Sequence, residues 1–145
     1  MEQAREKVKQ LLKIFYNIDT QYSRAVRRTG YKPNLLMLFY SLDNNKPMSQ
    51  KQICEDWCIP KTTVNTLIKE CEQQGYITFE AVKGQRREKV VILTESGKKY
   101  AHQLLSTMYQ AEEEAVDNME NVEEFIPLAD KFLENLKTAF EKRIK

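Results

Sequence analysis

The chain has 145 residues, of which 41% are hydrophobic and 30% charged, as expected for one folded domain with a substantial core. No apolar run approaches the roughly 18 residues that a membrane helix requires, and the charged start MEQAREKVKQ lacks a signal-peptide core, so we expect a cytoplasmic protein. The net charge is only +2, but residues 100–145 carry a balance of −5, so the positive charge is concentrated in residues 1–99.

The first part of the chain predicts two helices. Apolar side chains follow helical spacing from Val8 to Val26, and Gly30 ends that pattern. Pro33 lies near the start of a second helix, NLLMLFYSL, because proline is well tolerated in the first turn. The segment DNNKP that follows is predicted to be a loop.

Two short helices come next. Ser49 and Gln52 have the spacing of a capping box, which predicts that QKQICEDWC forms a helix. Pro60 then restarts the chain into KTTVNTLIKECEQQ, and Gly75 ends this segment. One face of the second of these helices is apolar and is predicted to lie in the core: Val64, Leu67, Ile68 and Cys71.

The period then changes from helical to extended. YITFEAV and EKVVILT are rich in β-branched and aromatic residues and are separated by a polar turn with Gly84, which predicts a β-hairpin with a basic tip. Thr94 can cap a long helix after it. A last helix carries an apolar stripe from Phe125 to Phe140, and Pro127 either delays its start or kinks it.

Two short helices joined by a tight turn and followed at once by a hairpin form a winged helix-turn-helix. The predicted fold is therefore mainly α with a small β-hairpin wing, in one domain of residues 1–145. Residues 33–99 form the winged helix-turn-helix, with a recognition helix at residues 61–74 and the wing at residues 77–93. Residues 1–30 and 100–145 form flanking helices that we expect to serve dimerisation, because their apolar stripes are too long for a monomer to cover.

This arrangement predicts contacts with DNA. Small hydroxyl and amide side chains on the recognition helix can contact base edges, and Asn65 suits adenine. The alternatives are a solvated polar helix face and a solubilising basic turn. The candidate residues are Ser49 and Lys51 at the start of the first short helix, Lys61, Thr62, Thr63, Asn65, Thr66 and Lys69 on the recognition helix, and Lys83, Gln85, Arg86 and Arg87 in the wing.

The sequence gives no indication of catalysis or of a cofactor. It contains no phosphate loop, nucleophile elbow or paired acid and base. Cys54 and Cys58 lie four apart on a predicted helix, too far for a disulfide, and the single histidine, His102, cannot complete a zinc site with them. We therefore expect no metal and reduced thiols, with a redox switch as the alternative.

Two stretches carry a family resemblance. YKPNLLMLFYSLDNNKPMSQKQICEDWCIPKTTVNTLIKECEQQGYI resembles the second helix and helix-turn-helix of the MarR (multiple antibiotic resistance regulator) family of transcription factors. GQRREKVVILTESG resembles its wing, in which Arg87, Leu93, Thr94 and Gly97 match the family pattern. Gln85 stands where the family usually has an aspartate that pairs with the wing arginine, and a Gln amide can still form a hydrogen bond there.

The resemblance implies a homodimer built from the first and last helices, which binds a palindromic operator on double-stranded DNA as a transcriptional regulator, most simply a repressor. It also implies a pocket for a small aromatic or anionic effector. Four aromatic residues could line that pocket or could simply be core: Tyr16, Phe39, Tyr40 and Tyr100. The alternative function is a winged-helix module for protein–protein interaction.

Overall fold

A computed structural model describes residues 2–44, 46–82, 84 and 89–144. Within these ranges it has six α-helices and three β-strands, a mainly α fold as predicted. The chain divides into two compact units, Met1–Ser106 and Thr107–Lys145, with the division inside the fifth helix. The elements are α1 (Glu2–Thr29), α2 (Pro33–Leu42), β1 (Met48–Ser49), α3 (Gln50–Trp57), α4 (Lys61–Gln73), β2 (Ile77–Ala81), β3 (Lys89–Leu93), α5 (Glu95–Asp117) and α6 (Val122–Arg143).

Local capping signals explain where the helices of the first unit begin. Pro33 occupies the start of α2, as predicted. The Ser49 hydroxyl accepts a hydrogen bond from the Gln52 backbone N–H at 3.1 Å, and the Gln52 side chain accepts one from the Ser49 N–H at 2.9 Å. The predicted capping box at α3 is therefore confirmed.

The sheet contains one strand that the sequence did not predict. Its order is β1-β3-β2, and both pairs are antiparallel. In the hairpin, Ile77 pairs with Leu93 and Ala81 pairs with Lys89, so β2 and β3 match the predicted wing. Strand β1 has two residues, paired with Val90 and Val91. A strand this short has no alternation of apolar and polar residues to read.

The core of the first unit lies where α2, α4, α5 and β3 meet. Phe39 of α2, Val91 of β3 and Leu105 of α5 have no exposed surface. Val26, near the end of α1, is also buried, and α1 packs on α2. Val26 therefore belongs to the core of its own subunit rather than to the exposed apolar stripe of α1.

The placement of Cys58 differs from the prediction. Helix α3 ends at Trp57, and Cys58 caps it in a left-handed conformation with φ of 51°. The expectation that Cys54 and Cys58 share one helix is therefore wrong. The turn between α3 and α4 needs a left-handed residue, and a cysteine occupies this position although glycine would adopt it without strain.

The second unit consists of the remainder of α5 and all of α6. Asn121 is left-handed, with φ of 60°, and its carbonyl accepts hydrogen bonds from the N–H groups of Glu124 and Phe125 to start α6. Helix α6 begins five residues before Pro127, so of the two predicted effects of this proline the delayed helix start is wrong, and the kink stays a prediction. No helix among the described residues is both long and apolar enough to cross a membrane.

Candidate nucleic-acid interface

Helix α4 has one buried face and one exposed face, as the sequence predicted. Val64, Leu67, Ile68 and Cys71 are all buried. Thr62, Thr66 and Lys69 lie on the opposite side and are exposed, as is Lys61 in the first turn. The helix is thus fixed to the core by one face, while the other presents polar side chains to solvent.

The remaining candidates on α4 lie at the flanks of the exposed face. Thr63 and Asn65 are half-buried. The Thr66 hydroxyl donates a hydrogen bond to the Thr62 carbonyl at 3.0 Å, which leaves its oxygen lone pairs available to an external donor. Hydroxyl and amide groups held on a rigid helix in this way can contact the edges of bases.

Ser49 and Lys51 lie beside α4, at the start of α3. The Ser49 oxygen is engaged in the capping box, but its hydroxyl hydrogen can still be donated. The Lys51 ammonium lies 3.7 Å from the Glu55 carboxylate, and both side chains are largely exposed. Such a surface ion pair contributes at most about 1 kcal/mol, so a phosphate could replace Glu55 at little cost.

The tip of the wing falls partly outside the described residues. Lys83, Gln85, Arg86 and Arg87 are among those that the structure does not describe. Gly84 has φ of 85°, a conformation that favours glycine and fits the predicted turn. Lys89, at the start of β3, was not among our candidates, although the basic run of the hairpin continues to it. Its ammonium lies 6.0 Å from the centre of the Phe79 ring.

A network of hydrogen bonds joins the end of α4, the end of the wing and the start of α5. The Thr94 hydroxyl donates to the Gly75 carbonyl at 2.6 Å and accepts from the Gly97 N–H at 3.0 Å, which confirms Thr94 as the cap of α5. The Ser96 hydroxyl donates to the same Gly75 carbonyl at 2.8 Å. This network fixes the wing relative to the recognition helix.

Next to this network lies an aromatic cluster. Tyr76 stacks on Tyr100 with ring centres 4.3 Å apart, and Phe39 meets the Tyr100 ring edge-on at 5.1 Å. Burial, with smaller contributions from neighbours led by Tyr76, raises the pKa of Tyr100 above its ordinary value, so its hydroxyl stays protonated at neutral pH.

The four candidate pocket residues have different surroundings. Phe39 and Tyr100 are in contact, as described above. Tyr40 packs edge-on against Trp57 at 5.5 Å, and Tyr16 is 71% exposed on α1. The structure therefore brings Phe39 and Tyr100 together and leaves Tyr16 largely in solvent.

A cavity of about 370 Å³ opens between the start of α2 and the exposed side of α4. The sequence carries no signal for its α2 side, because the residues there are far from α4 along the chain. Lys32, Pro33 and Asn34 form that side, and Thr62, Thr63, Thr66, Leu67 and Glu70 form the other.

The described residues contain no group of His, Cys, Asp or Glu side chains placed to hold a metal ion. The three thiols are free, with Cys54 half-buried, Cys58 exposed and Cys71 buried. Burial, together with the charge of Glu70, raises the pKa of the Cys71 thiol to about 11.

Comparison with known proteins connects this geometry to a family. Residues 29–88, from the end of α1 to the wing tip, match the model of the MarR family. Over this segment the chain is similar to the MarR family. The predicted resemblance is therefore confirmed, and the fold is a winged helix-turn-helix.

Solved structures of MarR proteins have the same fold. A MarR family regulator from Neisseria meningitidis is 27% identical, with a TM-score of 0.73 over 95% of this chain and 96% of that one. MarR from Oenococcus oeni is 19% identical, with a TM-score of 0.63 over 90% and 98% of the two chains. A putative MarR family regulator from Listeria monocytogenes, solved with a 26mer DNA, is 16% identical, with a TM-score of 0.59 over 92% and 87%. Among curated proteins none matches this chain.

Proposed function

We propose that this chain is a transcriptional regulator of the MarR family, a homodimeric repressor that binds a specific palindromic operator. The observation that carries the proposal is the two-faced recognition helix, whose buried face fixes it to the core while Thr62, Thr66 and Lys69 are exposed. A MarR family neighbour of the same fold has been solved with DNA, which supports the same partner here.

In the proposed complex α4 enters the major groove. Asn65 is the best candidate for reading a base, because an amide can form two hydrogen bonds with adenine. Lys69, two turns along the helix from Lys61, is better suited to a phosphate. The other proposed α4 contacts are Lys61, Thr62, Thr63 and Thr66, with Ser49 and Lys51 of the β1–α3 junction at the DNA backbone.

The wing is proposed to follow the DNA backbone or a minor groove. Its tip would contribute Lys83, Gln85, Arg86 and Arg87, and the described Lys89 at its base adds a further exposed positive charge. Contacts of this kind raise affinity for every sequence alike, because they release counterions from phosphates.

The dimer is proposed from exposed apolar surface on α1 and α6. On α1, Ile14 and Ile18 are 52% and 46% exposed, and on α6, Leu133 and Phe140 are 47% and 53% exposed. Apolar stripes of this length on two helices are typical of subunit interfaces. Two-fold symmetry of the dimer would then require a palindromic operator with one half-site for each recognition helix.

Release by a small aromatic or anionic effector completes the proposal. Phe39 and Tyr100 are the two candidate pocket residues in contact with each other, and they adjoin the network that fixes the wing. A ligand that displaced either ring could move the wing relative to α4 and so weaken DNA binding.

The test begins by selecting binding sites from a pool of random DNA duplexes with the purified full-length chain. We expect recovery of a palindrome, bound more tightly than a scrambled duplex, with log affinity falling linearly with log salt. Asn65→Ala should reduce discrimination at one position in each half-site by roughly 1–3 kcal/mol. Failure to enrich any sequence, together with weak and salt-insensitive binding, would favour a protein–protein interaction module instead.

A further inference from the structure

We propose that the start of α2 is an additional DNA-backbone site, in which Lys32 and Asn34 hold a phosphate beside the recognition helix. The inference rests on the proposed DNA-binding function and extends its interface beyond α3, α4 and the wing to the start of α2. The partner is a phosphate of the same duplex that α4 reads.

The first observation is the shape of the cavity. Lys32 and Asn34 face the hydroxyl-bearing side of α4 across a space of about 370 Å³, and Thr62, Thr63 and Thr66 line the opposite wall. An ammonium, an amide and several hydroxyls around one opening are the groups that proteins use to contact phosphate oxygens. A backbone strand that leaves the major groove beside α4 would pass this opening.

The second observation is the charge of the surrounding chain. Between Asp19 and Asp43 the sequence has no acidic residue and four basic ones, Arg24, Arg27, Arg28 and Lys32. Lys32 is exposed, and its side chain makes no capping hydrogen bond to α2 although it occupies the N-cap position. Its ammonium can therefore be removed by mutation without loss of a helix cap.

Glu70 determines which end of the cavity the phosphate occupies. This carboxylate lines the same space and lies eight residues beyond Thr62, about 12 Å along the helix axis. Repulsion by Glu70 places the phosphate toward the Thr62 end of α4, away from this carboxylate. Two variants of one cavity should therefore act in opposite directions, Lys32→Ala weakening binding and Glu70→Gln strengthening it.

The experiment measures fluorescence anisotropy of the full-length protein with the selected operator and with a scrambled duplex at several salt concentrations. Lys32→Ala should lower affinity for both duplexes about tenfold at 0.1 M salt and reduce the salt slope by about one unit. Lys32→Arg should restore both values. Asn34→Ala should lower affinity with an unchanged slope, because it removes a hydrogen bond and no charge.

Lys13→Ala is the matched control. Lys13 is an exposed lysine of α1, 16 residues before Thr29 at the end of that helix. It therefore lies about 24 Å along the helix axis from Thr29, which is well beyond the Debye length at this salt. The Lys13→Ala substitution removes the same charge as Lys32→Ala, and we expect the DNA affinity and the salt slope of the wild type. Thermal unfolding of each variant checks that the fold is retained.

The outcomes separate this inference from the function on which it rests. If Lys32→Ala and Glu70→Gln both bind like Lys13→Ala while the wild type binds its operator with a steep salt dependence, the α2 site is wrong and the DNA-binding proposal stands. If the wild type itself shows no salt-dependent DNA binding, both are wrong.

Discussion

Gly97 of α5 lies directly against the backbone carbonyl of Tyr76, so that a Cβ atom added to Gly97 would overlap the carbonyl oxygen and stand 2.8 Å from the carbonyl carbon. The obstacle is backbone, which cannot move aside as a flexible side chain can. Close approach of two backbones at this point requires glycine, which gives a physical reason for the Gly in the Leu-Thr-x-x-Gly pattern of the wing.

Gly97→Ala should therefore destabilise the protein by roughly 1–3 kcal/mol or more, as overpacking in a well-packed region does. It should also weaken operator binding, because Tyr76 lies in the short link between α4 and β2, and a displaced Tyr76 shifts the wing relative to that helix. Urea unfolding and anisotropy provide the two measurements. Lys99→Ala, an exposed site two residues along the same helix, is the control. Equal stability of Gly97→Ala and wild type would contradict the close approach.

Thr94→Val should cost about 1 kcal/mol, because it removes the cap of α5 and the hydrogen bond to the Gly75 carbonyl while keeping a similar shape. Thr94→Ser keeps the hydroxyl and should lose much less. Denaturant titration of both variants gives the comparison. Similar losses in the two variants would assign the effect to packing of the methyl group rather than to the hydroxyl.

The sequence predicted those parts of the fold that depend on neighbouring residues. The capping box of Ser49 and Gln52 and the cap at Thr94 each join residues three apart, so their spacing could be read directly. Strand β1 could not, because Met48 forms a strand only by pairing with Val91, 43 residues further along the chain. The left-handed conformation of Cys58 was missed for a related reason, since the geometry of the turn imposes it on a residue that does not favour it.

For the candidate interface, too, the sequence predicted the features that depend on neighbouring residues and missed those that depend on distant ones. The helical period separated Val64 and Ile68 from the polar face of α4, and the structure confirms that division. The proposed backbone site at Lys32 and Asn34 was not predicted, because the chain around the start of α2 has no motif of its own, and only folding brings it beside α4. Spatial proximity of this kind has no signal in a single sequence.

Leu133→Glu should separate the subunits. The side chain is 47% exposed on the apolar stripe of α6, and a charge buried in a dimer interface without a partner is strongly unfavourable. Light scattering should report a dimer for the wild type and a monomer for the variant, with loss of operator affinity. Asn135→Glu adds the same charge to the opposite side of α6, where the residue is also exposed, and should remain dimeric. A monomeric wild type would contradict the proposed dimer.

Cys71 should make folding stability depend on alkaline pH. Burial and then Glu70 raise the pKa of its thiol from 9.0 to about 11, so the folded protein holds this proton more tightly than the unfolded chain does. The resulting stabilisation is complete below pH 9 and is lost as the pH rises through 11, with an upper limit of roughly 3 kcal/mol.

Urea unfolding of wild type and Cys71→Ala from pH 7.5 to about 10.5 should show a difference in stability that narrows as the pH rises. The variant is less stable at neutral pH because it leaves a small cavity. Cys58→Ala, which removes an exposed thiol, controls for the loss of a cysteine. Parallel pH profiles for wild type and Cys71→Ala would mean that the thiolate of Cys71 is accommodated in the fold.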